Sequence, residues 1–347
     1  MKHLKVCFIG CGDHAKRFIL PALAGAEHVT LSAICARTRE HAEAAAARIG
    51  ARRACTDYSE MIETENPDAV FVVGPPKLQF ETGMFCLAHR IPFFSEKPCG
   101  SSLEEAEQLV SAAEENGCFG QVGFMMRHSA VIREVRKIMA NEPVGRLEYG
   151  TVKYFTSGPY RSDEIYGMPG TDDLSWLWRY LMVQAVHPVN LAASFLGEIR
   201  EIVPEVRFAG ENLLLELRLT DAEGCRFRVL LHTFVAPGYG NLKFETELFY
   251  ANRGMIFTDA FHSLEYYPPE PLRPYQESGN GNSLHWQFAS FGNNNVKMGY
   301  ETEVRYFLDC VRNGVQPDSL TTLPDWLKTM NILNTAFQTV KKGNPIS

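Results

Sequence analysis

The sequence predicts an α/β plus α+β protein. A doubly wound parallel sheet comes first, and a domain with a large, open, mostly antiparallel sheet follows. Three observations predict this. Short apolar runs alternate with helix patterns through Pro98, the βαβ order that builds a parallel sheet. Gly10-Cys11-Gly12-Asp13-His14-Ala15 stands where the first strand turns into a helix, the context in which such glycines have meaning. After about Arg127 strand patterns dominate, with a hairpin turn at Asp221-Ala222-Glu223-Gly224, and hairpin-joined strands form antiparallel sheets. The expected division is 1–126 and 127–347, with the C-terminal helix free to pack back on the first domain.

The elements follow in order. Lys5-Val6-Cys7-Phe8-Ile9 is a buried strand. Gly10 permits a tight turn, Gly12 lets the backbone approach a phosphate, and Ala15 keeps the next helix close to the sheet. That helix, about Ala15 to Gly25, aims its unpaired N–H groups at a dinucleotide pyrophosphate. Val29 to Ala36 is the second strand, Glu40 to Ile49 an alanine-rich helix and Tyr58 to Glu65 a short one. Ala69 to Val73 is a strand ending at Gly74-Pro75-Pro76, Phe80 to His89 a helix, and Ile91 to Phe94 a strand. Ser102 caps a helix to about Asn116, with Glu105 completing a capping box. Gly120 to Phe124 is one more strand.

In the second half, Ser129 to Ala140 and Pro188 to Leu196 read as helices. Leu147–Phe155, Ile202–Phe208, Leu213–Leu219, Arg226–Phe234 and Leu242–Ala251 read as strands. Pro268 to Asn295, rich in Pro, Gly and Asn, reads as a long loop, and helix returns after Met298.

Composition narrows the function. The chain has 347 residues, 45% hydrophobic and 22% charged, enough for two domains with sizeable cores. A net charge of −7 argues against nucleic acid or an anionic membrane as partner. No apolar run reaches the roughly 20 residues of a membrane span. Met1-Lys2-His3 leads straight into the first strand, which leaves no room for a signal peptide. The nine cysteines are scattered without a Cys-x-x-Cys pair, so they read as buried apolar residues of a reducing, cytoplasmic compartment. No metal site is expected.

The second strand ends at Ala36-Arg37-Thr38-Arg39, with no acid before Glu40. An acid there would hold the ribose hydroxyls of NAD. Two guanidiniums and a hydroxyl suit a 2′-phosphate instead. The expected cofactor is NADP, with NAD left open.

Ser95-Glu96-Lys97-Pro98 ends the fifth strand, at the sheet edge where ligands bind. When a carbinol loses hydride, its hydroxyl proton must leave too. Lys97 can hydrogen-bond that oxygen and stabilise its developing charge, and Glu96 can orient Lys97. His187 is the candidate general base. Pro188 suits a first helical turn, which would place His187 at a helix start, where the dipole favours neutral imidazole.

These motifs resemble the glucose–fructose oxidoreductase / inositol dehydrogenase / MocA (Gfo/Idh/MocA) family over nearly the whole length. Gly10 to Ala15, Gly74-Pro75-Pro76, Ser95 to Pro98, Val122 to Arg127, Gly145-Arg146-Leu147, His187 to Asn190 before Leu196-Gly197, and Glu301 to Gly343 carry the resemblance. Glu96-Lys97-Pro98 is the most specific. The resemblance implies a Rossmann domain, NAD(P)-dependent redox chemistry at a carbinol of a sugar or cyclitol, and a sheet that holds substrate and mediates oligomerisation. It implies Gly10, Gly12, Asp13, His14, Ala15, Ala36, Arg37, Thr38, Arg39, Gly74, Pro75, Pro76, Gln79, Glu96, Lys97 and Arg127 at the cofactor. Pro76 and Gln79 stand where the family often has Asn and His. Val183 and Asn190 occupy the two acidic positions around its histidine.

Substrate candidates are Lys97, His128, Asp172, Asp173, Trp176, Arg179, Tyr180 and His187, with Tyr160, Tyr166, His285 and Trp286 as weaker ones. Aromatic faces pack on sugar rings, and Asp and Arg bond hydroxyls. The leading reading is hydride transfer at a ring carbinol or ketone of a sugar, glycoside, cyclitol or nucleotide-sugar. Reduction of an imine or other C=X bond, and a non-catalytic cofactor-binding regulator, stay open. A homodimer or homotetramer is expected, because an open sheet leaves an apolar face to cover.

Overall fold

The computed structural model describes residues 1–156, 175–209, 212–233, 243–270, 283–288, 297–318 and 321–342. They fall into two compact units, one containing Met1–Met125 and Gly299–Met330 and the other containing the second sheet with its helices.

The first unit is built on six parallel strands in the order β3-β2-β1-β4-β5-β6. These are β1 (Leu4–Ile9), β2 (Val29–Cys35), β3 (Arg53–Cys55), β4 (Ala69–Val72), β5 (Phe93–Glu96) and β6 (Gly120–Gly123). β1 pairs with β2 on one side and β4 on the other, so the order reverses there and a crevice opens beyond the strand ends. The strands are nearly continuous runs of buried residues, as helices on both faces require. Phe71 and Phe94 lie 5.3 Å apart by ring centroid, and Phe307 of the Tyr300–Asn313 helix closes on both. Helix starts are capped as the residue types dictate: Thr38, Asp57 and Ser102 each accept a backbone N–H of the first turn. The Glu105 carboxylate bonds back to the Ser101 N–H.

The first helix differs from the expected single α-helix to Gly25. Ala15–Ile19 forms a π-helical turn before an α-helix, Leu20–Ala24. Pro21 explains the break, since it lacks the N–H that would continue the ladder.

The second unit carries eight strands in the order β14-β13-β12-β11-β7-β10-β9-β8. They are β7 (Leu147–Phe155), β8 (Ile199–Ala209), β9 (Asn212–Asp221), β10 (Arg226–His232), β11 (Lys243–Tyr250), β12 (Met255–Asp259), β13 (Ser263–Tyr267) and β14 (Leu284–Gln287). All pairings are antiparallel except β10 with β7. β9 shows the period-2 logic: Leu213, Leu215, Leu217 and Leu219 are buried, and Leu214, Glu216, Arg218 and Thr220 face the other way. Gly150 leaves room for Phe227, whose ring a Cβ there would meet at 2.2 Å.

Strands β3, β12, β13 and β14 were not expected. β3 has three residues, too few for a period to register. β14 lies inside the stretch read as one long loop.

All nine cysteines are free, eight of them buried. Among the described residues no helix is long and apolar enough to cross a membrane, and no cluster could hold a metal ion.

Candidate functional site

The crevice begins with Gly10. Its φ is +103°, and a Cβ there would lie 1.9 Å from the Val73 carbonyl oxygen. Only glycine lets the ends of β1 and β4 close this way. Gly12 has the opposite surroundings, with nothing within 4 Å of where a Cβ would stand. Its backbone opens onto a groove of about 760 Å³ lined by Gly10, Gly12, Asp13, Ala36, Arg37, Gly74 and Pro75, among others. This is the cradle a pyrophosphate needs, backbone exposed at a helix start with no side chain in the way, so the residues present fit a dinucleotide.

The groove also takes residues that were not singled out: Lys16, His41, Thr56, Tyr58 and Leu78. Thr56 and Tyr58 arrive through the unexpected β3. Thr38 Oγ1 lies 2.7 Å from His41 Nδ1 and also caps the helix, which brings that imidazole to the groove beside Arg37. The Thr38 hydroxyl is therefore engaged locally. Arg39 does not line the groove. It donates to Glu43 at 2.7 Å along the exposed helix face, which corrects the expectation of a two-arginine clamp.

Two further expectations at this edge need correction. Pro76 is a buried first residue of its helix, and Gln79 is fully buried. The Gln79 amide donates to the Pro98 carbonyl at 2.8 Å and accepts from Ser95 Oγ at 3.2 Å. It braces the Lys97-Pro98 corner, whose peptide bond is cis, and presents no surface to a ligand.

Lys97 is half-buried at the end of β5. Burial lowers its proton affinity, and the nearby Glu96 carboxylate partly restores it. Such a lysine exchanges a proton more readily than a solvated one. Glu96 is 5% exposed. Its Oε2 accepts the Lys97 backbone N–H at 3.1 Å. Its Oε1 lies 3.1 Å from His14 Nε2, close enough for an ion pair when the imidazole is protonated. Gly123 makes room, since a Cβ there would touch the Glu96 carboxyl at 3.2 Å. His14 thus reaches Glu96 from the glycine turn and packs at a tilt against Phe18, while Ala15 is fully buried against the sheet.

In the second unit, His187 lies within Val186–Ala193, which continues from helix Ser175–Tyr180 and a π-helical turn at Leu181–Ala185. It is therefore not at a helix start, and the dipole argument for it does not apply. The widened turn accommodates Pro188, whose ring would clash with a regular preceding turn. Val183 is buried, and Asn190 Oδ1 accepts from the buried Arg127 guanidinium at 3.1 Å. The two positions expected to be acidic thus serve packing and an internal hydrogen bond. Arg179 and Tyr180 are buried in the same unit. His128 is buried as well, and its imidazole is pushed down to about 3, first by burial and then by Arg127, Arg136 and Arg133. It is neutral and serves as an uncharged group. His285 and Trp286 lie on β14, with His285 Nε2 3.2 Å from Glu265 Oε1. Tyr160, Tyr166, Asp172, Asp173 and the Trp176 side chain lie outside the described residues.

Residues 4–124 match the family described as GFO_IDH_MocA, oxidoreductase family, NAD-binding Rossmann fold. A dTDP-3,4-didehydro-2,6-dideoxy-α-D-glucose 3-reductase from Streptomyces violaceoruber is 26% identical over 57% of this chain and 56% of its own. A scyllo-inositol 2-dehydrogenase (NADP(+)) from Bacillus subtilis is 29% identical over 44% of each. The chain thus spans about half the length of the curated relatives it matches. A solved dehydrogenase from Chromobacterium violaceum, 21% identical, superposes with a TM-score of 0.88 over 99% of this chain and 97% of its own, so the two-sheet fold is shared from end to end.

Proposed function

We propose that this chain, whose residues 4–124 match the GFO_IDH_MocA oxidoreductase family with its NAD-binding Rossmann fold, moves a hydride between a nicotinamide cofactor and a ring carbinol or ketone of a carbohydrate-like substrate. Sugars, glycosides, cyclitols and nucleotide-sugars are the class. The observation that carries this reading is the Glu96-Lys97-Pro98 corner, with Lys97 half-buried, braced and set at the carboxyl edge of the sheet whose switch point forms the groove. Residues 1–126 hold the cofactor, and the second sheet with its helices holds the substrate.

The bound nicotinamide supplies the hydride acceptor or donor. Gly10 and Gly12 hold the pyrophosphate, and Arg37 meets a 2′-phosphate, which favours NADP over NAD. Lys97 Nζ takes the hydroxyl proton as a carbinol is oxidised, or returns it as a ketone is reduced. Its lowered proton affinity suits both directions. His187 is assigned the second proton-handling role. Val183 and Asn190 stand at the two positions where the family has acids, and this favours the reductive direction.

Nicotinamide absorbance, followed across sugars, cyclitols and nucleotide-ketosugars, tests the assignment. Lys97→Ala lowers kcat/KM by on the order of 10²–10⁴-fold and leaves the cofactor Kd within about twofold, since the groove contacts remain. A Lys97→Ala protein that turns over at the native rate would sink the assignment.

A further inference from the structure

His41 lines the groove together with Arg37. It is the third residue of the Arg39–Ile49 helix, whose N-cap is Thr38. Thr38 Oγ1 accepts the His41 backbone N–H at 3.4 Å and lies 2.7 Å from His41 Nδ1. These are the hydrogen bonds His41 makes among the described residues. With Nδ1 turned to Thr38, Nε2 is the ring nitrogen left for the groove. The pairing tolerates either charge state. A neutral imidazole accepts the Thr38 hydroxyl proton at Nδ1 and carries its own proton on Nε2. An imidazolium donates from Nδ1 to the same oxygen, whose second lone pair still takes the backbone N–H, and again carries a proton on Nε2. A donor is thus held at one place while its charge changes, and imidazole changes charge between about pH 5 and 8.

The surroundings of His41 suit an anion. Arg37 is exposed and makes no ion pair among the described residues. The start of an 11-residue helix adds its positive end. The strand end before Arg37 is fixed, because Ala36 donates its N–H to the Cys55 carbonyl of β3 at 3.1 Å. The other charged groups around His41 are engaged elsewhere or exposed. On its own helix, Glu43 accepts from Arg39 and Glu40 is exposed. From β3, Arg53 pairs with Glu65 at 3.1 Å. Asp57 caps the next helix by accepting the Ser59 and Glu60 N–H groups, and Tyr58 follows it into the groove. β2 contributes Cys35, and the glycine turn brings Asp13 and Lys16 to the same groove. No carboxylate among the described residues bonds His41.

We infer that His41 is a specificity-determining residue of the groove: together with Arg37 it holds the 2′-phosphate, through Nε2, and its charge sets how strongly NADP(H) is preferred over NAD(H). The two side chains divide the task. Arg37 stays charged at every working pH and supplies the constant part. His41 supplies the variable part. A phosphomonoester loses its second proton near pH 6, so at about neutral pH a dianion meets the imidazole. The dianion favours the protonated ring, and NADP(H) binding therefore draws a proton onto His41. At higher pH the ring is neutral in the complex too, and its hydrogen bond to the phosphate loses the cationic donor. NAD(H) carries a hydroxyl at this place and gains nothing from the charge. The preference for NADP(H) falls as pH rises through the imidazole range.

The inference rests on the assignment of the 2′-phosphate to Arg37, and the two fail separately. Calorimetric titration with NADP+ and NAD+, from about pH 6 to about pH 8.5, compares the wild type with His41→Gln and Arg37→Ala. His41→Gln keeps a neutral donor and removes the charge. At about pH 6 it weakens NADP+ binding roughly 3- to 10-fold, the range of an exposed charge-assisted contact. At about pH 8.5 the loss shrinks to less than about twofold, and NAD+ binding changes less than about twofold throughout. Comparison with His41→Gln also cancels the titration of the phosphate itself. A wild type that prefers NADP+ and loses it in Arg37→Ala, but whose pH profile runs parallel to that of His41→Gln, sinks this inference alone. An equal loss for NAD+ and NADP+ in His41→Gln also overturns it, because the ring then contacts something other than the phosphate. If NAD+ binds the wild type as tightly as NADP+ and Arg37→Ala costs nothing, the 2′-phosphate reading falls and this inference with it. One readout needs no variant. At about pH 7.5, where the phosphate is already a dianion, titration in two buffers of different ionisation enthalpy shows the wild type taking up a fraction of a proton with NADP+ and none with NAD+. Equal uptake with both cofactors refutes the role of His41.

Discussion

Replacing Arg37 by alanine tests the cofactor reading at a single side chain. Arg37 lines the groove, is exposed, and makes no ion pair among the described residues, so its guanidinium is available to a 2′-phosphate. A charge-assisted hydrogen bond contributes about 1.5–3 kcal/mol. Exposure and salt screening reduce this to about 1–2 kcal/mol, or roughly 5- to 30-fold in Kd. NADPH binding weakens by that factor in Arg37→Ala, and NADH binding, which involves no 2′-phosphate, changes less than about twofold. Arg39→Ala is the internal control. Its guanidinium is held by Glu43 away from the groove, so its removal costs NADPH less than about threefold, near the limit for exposed pairs. Fluorescence titration of both cofactors against the three proteins reads all the values. If NADH binds the wild type as tightly as NADPH does, or Arg39→Ala loses more than Arg37→Ala, the assignment of the 2′-phosphate to Arg37 is wrong.

Three other outcomes are expected. Gly10→Ala forces a Cβ against the Val73 carbonyl at a positive φ and costs about 2–4 kcal/mol; an unchanged melting temperature by calorimetry would contradict the close approach of β1 and β4. His128 has a folded-state proton affinity far below its usual 6.5. The unfolded chain therefore binds the extra proton below that pH, and native stability falls with acidification, by about 2 kcal/mol from this group between pH 6.5 and pH 5. His128→Gln flattens that part of the melting-temperature profile, and a profile parallel to the wild type would refute it. Tyr149, Phe249, Phe257 and Tyr267 form a ladder of half-exposed or exposed rings on one sheet face, with centroids 5.8 to 6.0 Å apart. We expect this face to pair with a second copy, so light scattering shows a dimer or tetramer that Phe257→Glu dissociates; a wild-type monomer at micromolar concentration would defeat the idea.

Local signals were legible along the chain. The strand–glycine–helix order around Gly10, the capped helices after Thr38, Asp57 and Ser102, and Lys97 at the end of β5 each depend on residues within a few positions of one another. So do the leucine alternation of β9 and the turn at Asp221 to Gly224. Backbone sterics and side-chain period act over that range, so such features appear in the order of residues alone. β12 and β13 escaped notice because five residues of mixed polarity carry too little period. Pro188 misled for a related reason. It is a start signal at short range, yet the helical run around it is already under way in Ser175–Tyr180 and absorbs the proline through a widened turn.

The tertiary structure decided which of the candidates act. Arg37 and Arg39 are equivalent in sequence, and Glu43, one turn along the helix, separates them. Gln79 suggested a ligand contact, but burial made it a brace for Pro98. Glu301 and Glu303 both look like solvated acids at a helix start. The first meets Arg305, and the second is fully buried, with Gln121 of β6 bonded to its backbone carbonyl. Charge state depends on desolvation and on neighbours within a few ångströms. Residue order specifies those neighbours only through the folded packing, so the chemistry of Lys97 and Glu96 belongs to the tertiary structure, while the place of Lys97 in the chain was already written in the motif.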